Sequence, residues 1–299
     1  MFKRIFPLCL CLALLISGCA NIKSLFQDDE VHYASLPPEA LMYDGKTILE
    51  ETKRLITSAE KAIFIEQKLF NHQELCNLIL QKAKSGVEIR ILLNQSAANR
   101  DIQEKFKSNN ISAHFYPIQK GQTNNVKLMI VDYDQAIIYG APWTPDDFNS
   151  HTLAVKITGK AARTATTVFT RDWRYTTTLD LEIPESNSLV DDYLILATNA
   201  NVKQQILTRI NSSKTSIDIE VAELSDSDIL NALVDAKSKG LEIRVIIDAQ
   251  TQRSNPTPKS LAKLTEAGID VKFYQQDQPF ARNIAIFDNT TFIFSSSGW

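Results

Sequence analysis

The segment SAEKAIFIE at 58–66 returns as SSKTSIDIE at 212–220, and ELCNLILQKAKSGVEIRILLN at 74–94 returns as DILNALVDAKSKGLEIRVIID at 228–248. Glu66 and Glu220, Gly86 and Gly240, and Arg90 and Arg244 all keep one offset of 154 (220 − 66, 240 − 86, 244 − 90). Further on NNISAHFYP is echoed by AGIDVKFYQ, and Asp132 pairs with Asp288 at an offset of 156 (288 − 132), so only small loop changes intervene. A chain that repeats itself over this length is expected to fold as two copies of one unit about a pseudo-twofold axis.

Within a copy, helical and strand patterns alternate. KTILEETKRLITSAEK sets Ile48, Leu49, Leu55 and Ile56 on one helical stripe, and AIFIE follows as a short buried strand. ELCNLILQKAKSG is a helix stopped at Gly86, and VEIRILLN is the next strand. This order predicts an α/β fold with mostly parallel sheets flanked by helices. The first copy runs over 41–178, a linker over 179–190, and the second copy over 191–299. After Asp132 the first copy continues through the strand LAVKITG and a helix bearing Val168, Phe169 and Trp173, whereas after Asp288 there is only TFIFSSSGW. The second copy is thus expected to be shortened, through a truncated chain or with an unusual exposed edge.

The N-terminus carries a different kind of signal. Lys3 and Arg4 precede an apolar run from Ile5 to Ile16, and Leu15-Ile16-Ser17-Gly18-Cys19 follows at once. This reads as a lipoprotein signal peptide over 1–18, cleaved so that Cys19 takes lipid. The apolar run falls short of the roughly 20 residues that a spanning helix needs. Ala20 after the cysteine leans towards the outer membrane where the host has one, giving a lipid-anchored protein of the cell envelope. Residues 19–40, with Pro37-Pro38, read as a tether. Cys9 and Cys11 leave with the signal, so Cys76 is the one thiol left beside the acylated Cys19, a small core residue on a helical stripe.

A net charge of −3 gives no global basic field, which disfavours a dedicated nucleic-acid binder. No Cys or His pairs stand at metal-ligand spacing and no Gly-rich nucleotide loop is present, so neither a metal nor a cofactor is expected. The chemistry is concentrated in two stretches. NNVKLMIVDYDQAIIYGAPWT, from Asn124 to Thr144, reads as strand, acidic turn, strand and a loop opening on Gly140; ARNIAIFDNTTFIFSSSGW, from Ala281 to Trp299, is its weaker copy. If both face one cleft, any chemistry sits there.

These stretches resemble the phospholipase D superfamily, notably its cardiolipin-synthase-like branch, in which each half contributes His-x-Lys-x4-Asp followed by Gly-Ser or similar. The first copy here reads Asn125-Val-Lys127-LMIV-Asp132 with Gly140-Ala141 beyond, and the second Ala281-Arg-Asn283-IAIF-Asp288 with Ser295-Ser296 beyond. Gly140-Ala-Pro-Trp143-Thr, Asn149 and Phe169-x-x-Asp172-Trp173 resemble the family as well. The resemblance implies one histidine as nucleophile towards a phosphodiester, the other as acid and base, lysines on the phosphate oxygens, and aspartates holding the imidazoles. Both histidine positions are lost, to Asn125 and Ala281, and one lysine has become Asn283.

What remains is a phosphate pocket of Lys127, Asn125, Asn283 and Arg282, with donors at Ser295, Ser296 and Ser297. Asp132 and Asp288, without imidazoles to orient, could simply open the turns DYDQ and DNTT. Among His32, His72, His114 and His151, His151 is the candidate for a rescuing imidazole. Trp143 and Trp299 wall the cleft or pack beneath it. Three functions stay open: a membrane-tethered protein that binds phospholipid or another phosphodiester with weak or no catalysis, an active phosphodiesterase or nuclease using His151 or a partner's residues, and a partner-binding lipoprotein whose unpaired second half is covered by another protein.

Overall fold

A computed structural model describes residues 36–117, 124–185, 200–249, 258–276, 278 and 280–299. The signal peptide, Cys19 and His32 lie outside the described residues, as does most of the tether. The end of the tether belongs to the fold: Leu36 packs against a core cluster, a short 3-10 turn spans Pro38–Ala40, and Ala40 is buried.

The first half contains β1 (Leu41–Met42), α1 (Gly45–Ser58), β2 (Ala62–Gln67), α2 (Gln73–Lys84), β3 (Glu88–Asn94), α3 (Ala97–Ser108), β4 (Ser112–Tyr116), β5 (Leu128–Val131) and β6 (Gln135–Tyr139), then β7 (His151–Thr152), β8 (Ala154–Thr158) and α4 (Gly159–Thr177). The second half contains α5 (Ala200–Ser212), β9 (Ser216–Val221), α6 (Ser227–Ser238), β10 (Glu242–Asp248), α7 (Pro258–Glu266), β11 (Asp270–Tyr274), β12 (Phe280–Ala281), β13 (Asn283–Phe287) and β14 (Thr291–Phe294). The duplication is visible in the sheets. The order β6-β5-β2-β3-β4 of the first is repeated as β14-β13-β9-β10-β11 in the second.

Each sheet is mixed. β2, β3 and β4 are parallel, as are β9, β10 and β11, because a helix crosses over between each pair. β5 and β13 run antiparallel to β2 and β9, and a tight turn reverses each into its hairpin partner, β6 or β14. β8 and β1 extend the first sheet by two more antiparallel pairings.

Local sequence explains the helix ends. Asp44 caps α1 by accepting from Thr47 N at 2.8 Å, and Asp226 caps α6 by accepting from Asp228 N and Ile229 N. Gly86 and Gly240, after α2 and α6, have φ of +91° and +94° with open space where a Cβ would be, so backbone conformation and not crowding calls for glycine there.

The helices α1–α3 cover one face of the first sheet through Ile48, Leu55, Ile79 and Phe106, and α4 covers the other through Ala162, Ala165, Phe169 and Trp173. Leu181 and Ile183, read as linker, pack on this second cluster. In the second half, α5–α7 cover the equivalent of the α1–α3 face, and the described residues hold no counterpart of α4. The amino acids have changed accordingly: Asp218 stands where Phe64 does (64 + 154) and pairs with Arg244 at 2.6 Å. Ile246 and Ile286, counterparts of the buried Leu92 and Ile130, are 39% and 41% exposed.

Matched substitutions test this asymmetry. Ile130→Ala should cost about 2–5 kcal/mol as a core truncation, whereas Ile286→Ala should cost less than about 1 kcal/mol, scaling with the smaller area it removes from contact. Urea titration of both variants measures the difference, and equal losses would contradict the exposure of Ile286.

Candidate functional site: a cleft between the two halves

The hairpins β5–β6 and β13–β14 bring the two motif stretches together. Residues immediately before β5 and around the start of β13, together with the loops leaving β6 and β14, line a cavity of ≈ 530 Å³. Asn125, Lys127 and Gly140 come from the first half, and Ala281, Asn283, Ser296 and Ser297 from the second. Four of the motif positions singled out in the sequence therefore share one cleft. The two loops are equivalent in detail, with Tyr139 N donating to Lys127 O at 2.9 Å and Ser295 N to Asn283 O at 2.8 Å.

Lys127 is buried and its Nζ donates to Asn125 O at 3.2 Å and, across the seam, to the carbonyl of Ser296. Burial first, and the charge of Lys68 second, lower its pKa to about 7, with Asp147 pulling weakly the other way. Asp147 lines the same cavity, its carboxylate accepting from Thr144 Oγ1 at 2.6 Å; burial raises its pKa against the pull of Thr144 and Lys127. In the second half Asn283 Oδ1 accepts from Ala222 N at 3.1 Å.

The approach to Lys127 is held from below. Asn124 Nδ2 donates to Glu66 Oε1 at 2.6 Å, Asn94 Nδ2 donates to Asn124 O at 2.7 Å, and Asn124 Oδ1 accepts from Val126 N at 2.9 Å. Full burial, then the charge of Asp172, raise the pKa of Glu66 to about 8, so at neutral pH it is mostly an uncharged acid.

Other candidates lie elsewhere. Asp132 and Asp288 sit at the far ends of their strands, five residues from Lys127 and Asn283, roughly 16 Å along an extended chain. There they hold backbone. Asp132 accepts from the N–H groups of Glu60, Lys61 and Ala62, and Asp288 from those of Lys214, Thr215 and Ser216. Of the two roles left open for these aspartates, the geometry fits the turn-opening one: each ties its turn, at φ of +52° or +51°, to the start of the central strand.

Arg282 is corrected as well. Its guanidinium donates to Tyr43 O at 2.6 Å and Thr152 O at 3.2 Å and lies 3.4 Å from Glu220 Oε2, and it does not line the cavity. His151 joins the same seam cluster. Its Nε2 is 2.6 Å from Glu220 Oε1, and its ring stacks on Tyr274 at 4.5 Å. His72 caps α2 and His114 contacts Ser112 and the edge of Trp173. Among the described residues no histidine lines the cavity, and no group of three His, Cys, Asp or Glu side chains is placed to hold a metal.

The two tryptophans occupy equivalent positions (143 + 156 = 299), Trp143 N donating to Leu69 O and Trp299 N to Glu223 O. Trp143 is packed beneath the surface against Phe70 and Tyr139, while Trp299 lines the cavity. Lys68, Asp147 and Glu223 also line it and were not singled out in the sequence. Lys68 and Glu223 could have been suspected, because they follow the carboxyl ends of parallel strands, where α/β folds place ligands. Gly140 lies close against the other half: a Cβ there would meet Ala281 O at 2.5 Å, and Leu153 O of its own half at 2.9 Å.

A family model described as cardiolipin synthase, PLD-like domain, matches residues 52–173 and 206–299. The chain belongs to this phospholipase-D-like family. A cardiolipin synthase of Clostridium perfringens (strain SM101) is 25% identical over 308 residues, covering 87% of this chain and 63% of that protein. A cardiolipin synthase of Halalkalibacterium halodurans is 23% identical, covering 83% and 57% respectively, so the chain spans less than two thirds of these relatives. The fold resembles the crystal structure of phosphatidylserine synthase from Haemophilus influenzae (TM-score 0.61, 12% identity, 86% of this chain and 78% of that one). It also resembles polyphosphate kinase from Porphyromonas gingivalis (TM-score 0.59, 13% identity, 87% and 45%). The phosphodiesterase fold of the phospholipase D superfamily is thus established, with the cleft at the junction of its two halves.

Two measurements check the site. Asp132→Ala should cost roughly 1–3 kcal/mol of stability, from three orphaned N–H groups, and leave binding in the cleft within about twofold. Lys127 has a folded pKa of about 7 against 10.5 unfolded, so across that window the unfolded chain holds the extra proton and stability from this group rises with pH. Lys127→Met should therefore stabilise the protein relative to wild type more at pH 6 than at pH 9, and an equal difference at both would contradict the burial.

Proposed function

We propose that this protein binds phosphodiesters in the cleft, chiefly phospholipid head groups, with weak or no turnover, while anchored to the cell envelope by lipid at Cys19. The observation that carries the reading is the occupancy of the cleft. Lys127 and the amides and hydroxyls of Asn125, Asn283, Ser296 and Ser297 offer hydrogen bonds to non-bridging oxygens. Neither Asn125 nor Ala281 can attack phosphorus or shuttle a proton near neutral pH. His151, bound to Glu220 and stacked on Tyr274, has its imidazole engaged at the seam and makes a poor replacement. The names of the relatives, cardiolipin synthase and phosphatidylserine synthase, favour lipid over nucleic acid as the source of the phosphodiester. A lipid tether would also present head groups to the cleft at high effective concentration.

Vesicles containing phosphatidylglycerol or cardiolipin should bind the protein stripped of its lipid anchor, and Lys127→Ala should weaken that binding by about tenfold, the loss of one charge-assisted hydrogen bond. Hydrolysis of either lipid, or of bis-p-nitrophenyl phosphate, should not rise above the blank. A clear rate that disappears in Lys127→Ala would overturn the non-catalytic reading.

A further inference from the structure

The phosphodiester reading uses Lys127 as a charged hydrogen-bond donor, yet its surroundings are those of a reactive amine. Its Nζ donates to two backbone carbonyl oxygens, of Asn125 and Ser296, and among the described residues no carboxylate is within ion-pair distance of it. A neutral amine has two N–H donors and one lone pair. A neutral amine can serve both carbonyl acceptors with its two donors and still leave the lone pair for the cleft. Of the charged groups lining the cavity, Lys68 opposes a second positive charge, Asp147 is engaged by Thr144, and Glu223 stands on the opposite half. Desolvation beside another cation is the arrangement that makes a lysine nucleophilic near neutral pH.

We propose that Lys127 is a carbonyl-reactive amine and that the cleft captures phosphorylated aldehydes by forming an imine at its Nζ. The lone pair attacks the carbonyl carbon, the C=O electron pair moves to oxygen and takes a proton, and the carbinolamine loses water. Amine and aldehyde give imine and water with no oxidant or reductant, and hydrolysis reverses the step. Lys68 and the side chains of Asn125, Ser296 and Ser297 are the groups that would take the aldehyde's phosphate. That preference for phosphate rests on the phosphodiester reading, whereas the reactivity of the amine does not. The lowered pKa of Lys127, about 7, agrees with this chemistry. At pH 7 it leaves roughly three orders of magnitude more neutral amine than an ordinary lysine of pKa about 10.4.

The test is to expose the folded protein to pyridoxal 5′-phosphate or to pyridoxal, fix imines with borohydride and map the labelled peptides at pH 6 to 9. At pH 7.5 Lys127 should carry at least about tenfold more label than an exposed lysine such as Lys272, with its labelling rising through pH 7. Lys127→Arg should remove the dominant adduct; if that variant does not fold, the wild-type map decides alone. Label spread evenly over exposed lysines, or an unlabelled Lys127 at pH 9, overturns the proposal. Equal labelling of Lys127 by pyridoxal and pyridoxal 5′-phosphate supports the reactive amine and counts against the phosphate site.

Discussion

Each half of this protein sends a cation to backbone carbonyl oxygens of the other. Lys127 of the first half reaches the carbonyl of Ser296, and Arg282 of the second reaches those of Tyr43 and Thr152. The carbonyl oxygens accept from both side chains, and at Arg282 the Glu220 carboxylate, 3.4 Å away, adds an opposite charge. The short parallel contact of β7 with β12 and the His151–Glu220 bond lie beside these links. The cleft exists because the seam fixes both hairpin exits at once, and Lys127 and Ser296, 169 positions apart in the chain, become neighbours only through it.

The electrostatics of the cleft differ from those that two complete motifs would give. With Asn283 in place of a lysine, the positive charge rests on Lys68 and on a Lys127 partly relieved of its proton, and it faces Asp147 and Glu223. An incoming anion would raise the proton affinity of Lys127, so binding and protonation are linked: a phosphate would draw the ammonium form, and an empty cleft releases it. Burial and the absence of imidazole therefore act together on a single side chain.

Much of the fold was legible because repetition survives substitution. The offsets of 154 and 156 gave the two halves, and the strand-turn-strand patterns gave both hairpins with Lys127 and Asn283 at matching places. Arg282 was misplaced because motif register says nothing about which face a side chain takes. Between Ala281 and Asn283 on an extended chain it must point the opposite way, to the seam. Asp132 was legible as the opener of the turn DYDQ, and five extended residues carry it out of reach of position 125. Lys68, Asp147 and Glu223 belong to no motif, and their convergence depends on how the halves dock, which no local pattern encodes. The pairing of Asp218 with Arg244, where the first half has apolar contacts, needed the strand register.

Gly140 and Ser296 are counterparts (140 + 156), yet they are not interchangeable. The first half meets Ala281 O through a glycine, at a separation that admits no Cβ. Two copies of the second half, placed in the same arrangement, would drive the Cβ of Ser296 into that carbonyl. The second half consequently fits the first in a way in which it could not fit a copy of itself.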